Sequence, residues 1–117
     1  MIAALTAIVA LATIAASPAQ AAFAIAFNPS SGKAAAYNGS FDLNVARRVA
    51  LSNCGSGCRI VASGKRTCAA VVESVSTGTG QWAVGYGTTT SAAANKGWHD
   101  CRNKGGVTCK TAASICD

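Results

Sequence analysis

Six cysteines, three in each half of the chain, constrain the fold of this 117-residue sequence more than any other feature. In each half, the second cysteine is followed by a basic residue and then by an apolar stretch that closes with Ala-Ser, in residues 58–63 and again in residues 109–114. A spacing that occurs twice indicates internal duplication. The sequence therefore predicts one domain built from two related halves.

Residues 1–21 have the organisation of an export signal. Residues 2–16 are apolar apart from two threonines, Pro18 follows, and small residues at 19 and 21 flank Gln20. This pattern is typical of a cleaved signal peptide. The apolar stretch is shorter than the roughly 20 residues that span a bilayer, which argues against a membrane anchor. We predict that residues 22–117 form a single exported domain, periplasmic or secreted, without a membrane span.

In an oxidising compartment the cysteines are expected to form disulfides. They are Cys54, Cys58, Cys68, Cys101, Cys109 and Cys116. Duplication favours Cys54–Cys58 and Cys101–Cys109, with Cys68–Cys116 joining the halves. Cys54–Cys68 with Cys101–Cys116 is the alternative, and the sequence alone leaves the pairing open. A zinc site is disfavoured because the cysteine spacing lacks a paired C-x₂-C knuckle and the chain has one histidine. We predict no metal and no cofactor.

Alternating side chains predict the first strand of each half. Residues 23–27 and 82–86 both read aromatic, Ala, branched aliphatic, small, aromatic. This order places the large side chains on one face of a strand, against a core. Residues 28–32 then predict a turn and residues 33–37 a return strand, which is lost or shortened in the second half.

Each half next predicts a helix that ends at its first cysteine. In the first helix, Ser40 is the expected N-cap, Asp42 lies in the first turn, and Phe41, Val45 and Val49 form an apolar stripe. In the second helix, Thr90 or Ser91 is the expected N-cap.

Aligning Cys54 with Cys101 relates the two helices position by position. Ala50 then matches Gly97, and Leu51 matches Trp98. Glycine inside a helix costs about 1 kcal/mol relative to alanine, so Gly97 predicts close packing of the helix on the sheet.

Further strands are predicted at residues 58–62, 68–75 and, more weakly, 109–113, with residues 76–80 linking the halves. The predicted fold is α+β: two pseudo-repeated ββαβ-like units, about 22–75 and 81–117. They share an antiparallel sheet or sandwich on which two helices pack, and disulfides stabilise the whole.

This layout resembles the bacterial exported domain-of-unknown-function family 4189. The matching features are the aromatic-rich first strand, the alanine-rich helix that ends in cysteine, the Cys-basic-apolar strand, the strand that begins at Cys68 and the tandem second half. The resemblance implies an exported α+β domain with no established activity, and it supplies no catalytic residues to carry over to this chain. The long first hairpin and the weak last strand depart from the usual pattern of the family.

Few residues offer catalytic chemistry. His99, Asp100 and Cys101 are adjacent, but neighbouring side chains on a helix diverge by about 100° and cannot form a triad among themselves. Trp82, Tyr86, Trp98 and Arg102 are the better candidates, as a binding surface on which aromatic rings beside cations hold sugars, peptides or polyanions. The alternative is that these aromatic residues form the core of the second half.

The formal net charge of +6 favours anionic partners, although the basic residues are scattered along the chain. We predict a small, basic, non-catalytic binding or inhibitory module of the bacterial envelope or the extracellular space. Its expected partner is a protein or an anionic polymer rather than a specific nucleic acid. The alternatives are a small secreted hydrolase or toxin that uses His99, and a purely structural envelope protein.

Overall fold

The computed structural model describes residues 21–75 and 80–117. The export signal predicted for residues 1–21 lies outside this part of the chain except for Ala21, and so does most of the predicted link at residues 76–80. The elements in chain order are β1 (Ala22–Phe27), β2 (Ala34–Ser40), α1 (Leu43–Cys54), β3 (Arg59–Gly64), β4 (Cys68–Ser74), β5 (Trp82–Gly87), α2 (Thr90–Asn103) and β6 (Cys109–Cys116). Neither helix in the described ranges is long and apolar enough to cross a membrane.

The strands form two three-stranded antiparallel sheets, in the orders β2-β1-β3 and β5-β4-β6. Each sheet has its first strand in the centre, followed in the chain by one edge strand, one helix and the other edge strand. The first unit is therefore β1-β2-α1-β3 and the second is β4-β5-α2-β6. The predicted α+β fold of two ββαβ units is confirmed.

The strand order places the division between the units before β4, whereas the sequence suggested a division between β4 and β5. β4 occupies the central position that β1 has in the first sheet, and β5 is an edge strand like β2. The shared aromatic pattern of β1 and β5 therefore does not mark equivalent strands. An alternating pattern reports only that one face is buried, and a central strand and an edge strand can both carry it.

The two sheets pack face to face, and the helices cover their outer faces. Between the sheets, Phe23, Ile25 and Phe27 from β1 pack with Val71 from β4 and Val84 from β5. Helix α1 contacts all three strands of the first sheet, and α2 contacts all three strands of the second. The molecule thus has four layers, with its main core between the sheets.

All six residues of β1 are buried, because each face of this central strand is covered. The large side chains share one face against the core, as predicted, and that core lies between the two sheets. Ala22, Ala24 and Ala26 face α1, where they meet Ala46 and Ala50. Small side chains on both surfaces allow the helix to lie close to the strand.

Helix α1 begins later than predicted. Ser40 ends β2, and the N-cap is Asp42, whose Oδ1 accepts hydrogen bonds from the N–H groups of Asn44 (2.8 Å) and Val45 (3.4 Å). Phe41 precedes the helix and is 65% exposed, so the predicted stripe of Phe41, Val45 and Val49 is wrong. The fully buried positions are alanines because the strand beneath them also carries alanine.

Helix α2 is capped by Thr89 instead of Thr90 or Ser91, since the Thr89 Oγ1 accepts from the Ala92 N–H (3.0 Å). It continues two residues past Cys101, to Asn103, so its predicted end is also wrong, while α1 does end at Cys54.

The alignment of the two helices is confirmed. The buried residues of α1 are Ala46, Ala50 and Cys54, and those of α2 are Ala93, Gly97 and Cys101. The close packing predicted at Gly97 is also present, because a Cβ atom there would lie 2.8 Å from Cγ2 of Val72.

The predicted set of three disulfides is confirmed. Cys54–Cys58 and Cys101–Cys109 each link the helix of a unit to the beginning of its last strand. Cys68–Cys116 links β4 to its neighbour β6. With the division before β4, this third bridge lies within the second unit and does not join the two.

Candidate functional site

Trp82, at the beginning of β5, is half-buried and belongs partly to the core. Its ring centroid lies 5.4 Å from that of Phe27. Two cations lie against the ring: Cζ of Arg59 at 5.3 Å and Nζ of Lys104 at 5.8 Å from the centroid. Lys104 also donates to the carbonyl oxygen of Trp82 (3.1 Å). This indole therefore contacts one core aromatic ring and two cations.

Tyr86 connects the two sheets at one edge of the sandwich. Its hydroxyl accepts a hydrogen bond from the backbone N–H of Ser63 (3.3 Å) and donates to the carbonyl of Ser63 (3.5 Å). Ser63 lies on β3, the edge strand of the first sheet. The polar end of this side chain is therefore engaged with backbone, although 42% of the residue is exposed.

Trp98 has different surroundings, on the solvent side of α2. It is 37% exposed, the guanidinium Cζ of Arg102 lies 5.0 Å from the centroid of its ring, and the His99 ring meets it edge-on at 5.2 Å. Arg102 is one helical turn beyond Trp98, which brings the two side chains to the same face. The indole and the guanidinium thus form a mixed aromatic and cationic surface.

An open groove lies beside this surface, between α2 and β6, with a volume of about 530 Å³. Its lining residues are Ser91, Ala94, Asn95, Trp98, Cys109, Lys110 and Thr111. Of the residues predicted from sequence to form a binding surface, only Trp98 lines the groove, and Arg102 stacks on it. Trp82 and Tyr86 are not part of its lining.

The polar face of α2 and the contribution of β6 were not predicted from the sequence. One signal was available in the alignment of the helices, which places Ala94 opposite Arg47. A large side chain in the first helix thus corresponds to a methyl group in the second.

The charge at the edge of the groove is positive. Arg102 is next to Trp98, and no carboxylate is among the lining residues. Lys110 belongs to the wall formed by β6, but its side chain is on the opposite face of the strand from Cys109 and Thr111, beside Glu73. Asp100 is two residues beyond Trp98, about 200° around the helix, so its side chain points elsewhere. The guanidinium of Arg102 at the edge of the groove attracts anions to it.

The groove offers stacking, hydrogen bonding and positive charge. Cys101 and Cys109 are joined to each other, so neither sulfur is a thiolate. His99 is exposed and meets Trp98. Within the ranges that the structure describes, no cluster of histidine, cysteine and acidic side chains could hold a metal ion. The arrangement is suited to holding a ligand by its charge and its flat or apolar parts.

Comparison with known proteins matches nearly the whole chain to a family. Residues 22–116 match the model of a family described as "Domain of unknown function (DUF4189)". No curated protein and no solved structure matches the chain. The matched range covers both ββαβ units, all six cysteines and the groove, and its description states no activity.

Proposed function

Since the chain belongs to the DUF4189 family, whose description states no activity, we propose from its surface that it is a non-catalytic binding module for an anionic partner. The binding site is the groove between α2 and β6. The observation that carries this proposal is the exposed Trp98 with Arg102 stacked on it, at the edge of a groove that has no carboxylate in its lining.

The chemistry of this pair supports an anionic ligand with a flat or apolar portion. A guanidinium offers several N–H donors in a geometry that matches carboxylate, sulfate or phosphate groups. An indole beside it contributes a large apolar contact, and tryptophan and arginine are the residues most often found at energetically dominant contacts.

The covalent frame supports binding as well. Cys101–Cys109 ties the last turns of α2 to the beginning of β6, so the two walls of the groove are linked directly. A site that is rigid before binding loses less conformational entropy when its ligand arrives. The three disulfides also support the proposal that the protein works in the periplasm or outside the cell, where such bonds persist.

Calorimetric titration with defined polyanions tests the proposal. The probes are a sulfated polysaccharide and poly-glutamate, with a neutral polysaccharide as the control ligand, and the protein is the full chain exported into an oxidising compartment. We expect saturable binding to at least one polyanion, weakened about tenfold or more by Trp98→Ala and by Arg102→Ala.

Arg48→Ala is the matched control, because it removes the same charge from an exposed position on α1. If Arg48→Ala weakens binding as much as Arg102→Ala, the effect comes from net charge and the groove is not the site. Absence of binding to every polyanion contradicts the proposal. Circular dichroism of each variant confirms that the fold is retained.

A further inference from the structure

We propose that the groove binds an extended acidic peptide, which pairs with β6 as an additional strand. This inference rests on the proposed function, because it uses the same groove and the same anionic preference. It adds the class of partner, a polypeptide, and the way in which that partner is recognised, through backbone hydrogen bonds at the edge of a sheet.

β6 is an eight-residue strand at the edge of the second sheet. In the described part of the chain, β6 pairs with β4 alone. The N–H of Asp117 donates to the Thr67 carbonyl (3.2 Å), and that of Val75 donates to the Thr108 carbonyl (2.7 Å). In an antiparallel ladder, the N–H and C=O groups of successive residues point alternately toward and away from the neighbouring strand. Asp117 points toward β4, so Ser114, three residues before it, points away; Thr108 also points toward β4, so Thr111, three residues after it, points away.

The corresponding edge of the first unit is closed by a side chain. Ser63 in β3 corresponds to Ser114 in β6. Ser63 pairs with Ala24, the third residue of β1, and Ser114 pairs with Ala70, the third residue of β4. The Tyr86 hydroxyl bonds both backbone groups of Ser63. This observation shows directly that the backbone at this position faces outward.

Asn38 is the residue of the first unit that corresponds to Tyr86, but its side chain does not bond the backbone of Ser114. Its Nδ2 donates to the Cys116 carbonyl (2.9 Å), two residues beyond Ser114. No side-chain bond to the backbone of Ser114 or Thr111 occurs in the ranges that the structure describes. The edge of β6 is therefore open where the edge of β3 is capped.

The space between the helix and the edge strand is also filled in the first unit and open in the second. In the first unit, Arg47 reaches from α1 across to Ser63, with Nη2 to Oγ at 3.3 Å. Leu51 and Ile60 fill the rest of that interval as partly buried core residues. The second unit has Ala94, Trp98 and Thr111 at these positions, and all three line the open groove. The groove therefore exists because the second unit lacks the side chains that close the first.

An extended peptide uses every part of this surface. Its backbone would pair with Thr111 and Ser114, and alternate side chains would enter the groove beside Trp98 and Ala94. Arg102 favours acidic residues in that peptide. At about 3.3 Å per residue, the part of β6 from Cys109 to Ser114, before the carbonyl that Asn38 occupies, accommodates a segment of roughly six residues. A sugar polymer could stack on Trp98, but it would leave the outward backbone groups of β6 unused.

The first test uses an eight-residue synthetic peptide that alternates glutamate and valine, titrated into the exported full-length chain. Three further ligands are compared with it. Two are the same peptide with N-methyl groups on every second amide, one methylated at the odd positions and the other at the even positions, so that each blocks one edge of the extended chain. The third is a sulfated polysaccharide. We expect the unmodified peptide to bind, and methylation of the pairing edge to weaken it about tenfold or more, because a methylated amide cannot donate to the edge.

A protein variant supplies the second test. Ala94→Arg copies Arg47 of the first unit, so it should fill the groove while it adds a positive charge. If the peptide lies in the groove, its affinity falls about tenfold or more in spite of the added charge. Attraction by charge alone predicts unchanged or tighter binding, and Arg48→Ala again controls for overall charge.

The outcomes separate this inference from the proposed function. Weakened binding in both tests supports the strand-addition mode. Equal binding of the methylated and unmodified peptides, or an undiminished affinity of Ala94→Arg, overturns strand addition and leaves an anion-binding groove. Binding of the polysaccharide but not of the peptide also overturns the inference while the proposed function stands. Binding of no ligand overturns both.

Discussion

The two ββαβ units share one skeleton. Asp42 and Thr89 cap helices in which the same three positions are buried. A break in register follows Ile25 in the pairing of β1 with β3, and it recurs after Val71 in the pairing of β4 with β6. One disulfide ties each helix to the following strand. Equivalent positions thus form the helix cap, the buried helix face, the break in strand register and the helix-to-strand disulfide in both units.

The two units differ in the size and burial of the side chains at equivalent positions. At matching positions, the first unit has Tyr37 packed beneath α1, whereas the second has Gly85 directly against α2. On the open side of each helix, Leu51 is partly buried and Trp98 is exposed. Two units with the same backbone fold can thus differ in function-related surface, since side chains fill the space beside the helix in one unit and leave a groove in the other.

The largest expected effect concerns the disulfide that only the second unit has. Replacing Cys68 and Cys116 by alanine should lower the free energy of unfolding by about 4 kcal/mol, because the bridge joins residues 48 apart and restricts a long loop in the unfolded chain. Removing Cys54–Cys58, with a separation of 4, should cost about 2 kcal/mol. Urea denaturation of both double variants measures the difference. Equal losses would show that loop length does not govern the contribution of these bridges.

The contact of Gly85 with α2 should be almost as important. A Cβ atom at Gly85 would overlap the carbonyl oxygen of Ala93 and the backbone nitrogen of Gly97, and neither can move without shifting the helix. We expect Gly85→Ala to destabilise the fold by about 3 kcal/mol.

Gly64→Ala is the control in the first unit for the Gly85→Ala prediction. The nearest atom to its new Cβ is Cε2 of Phe23 at 3.4 Å, an ordinary contact. Thermal unfolding of both variants decides the matter. Similar melting temperatures for the two would mean that α2 can move away from its sheet at little cost.

The helix caps should differ by less. Asp42 accepts hydrogen bonds from two backbone N–H groups, and Thr89 accepts from one. Replacing either by alanine should cost about 1 kcal/mol, with the larger loss at Asp42, since its carboxylate also interacts favourably with the helix dipole. Urea denaturation of the two single variants provides the measurement. A larger loss at Thr89 would be contrary to this expectation.

The smallest effect is expected at the edge bonds. Tyr86→Phe removes the hydroxyl that bonds Ser63 and should lower the free energy of unfolding by about 0.5 kcal/mol, because water replaces the hydroxyl at this exposed site. Hydrogen exchange gives a sharper reading, since the Ser63 amide should lose protection. If that amide exchanges equally fast in both proteins, Tyr86 does not cap the edge of β3.

Much of the fold followed from local patterns. The alternation in residues 23–27 identified a strand and the face that carries its large side chains, and the cysteine spacing identified the duplicated helix and strand and favoured the observed disulfides. Element ends were less predictable, because capping depends on small competitions among neighbours: the Ser40 hydroxyl accepts a bond from Asp42, and Asp42 then caps the helix.

The candidate site was less accessible to sequence reasoning. Trp82, Tyr86 and Trp98 were grouped by residue type, yet one packs at the margin of the core, one bonds a strand edge and one lines the groove. Exposure depends on which neighbours pack around a ring, and those neighbours are distant in the chain. Arg59 lies over Trp82 in the folded protein although 23 positions of sequence separate them.

By itself, the sequence determined the class of fold, the pairing favoured for the cysteines and the equivalence of the two helices, since these follow from spacing and from periodicities of a few residues. Only the tertiary structure decided that β4 opens the second unit, because strand order depends on backbone hydrogen bonds between distant segments. It also decided that the groove lies between α2 and β6. That space results from small side chains such as Ala94, and missing bulk becomes a site only when the elements around it are in place.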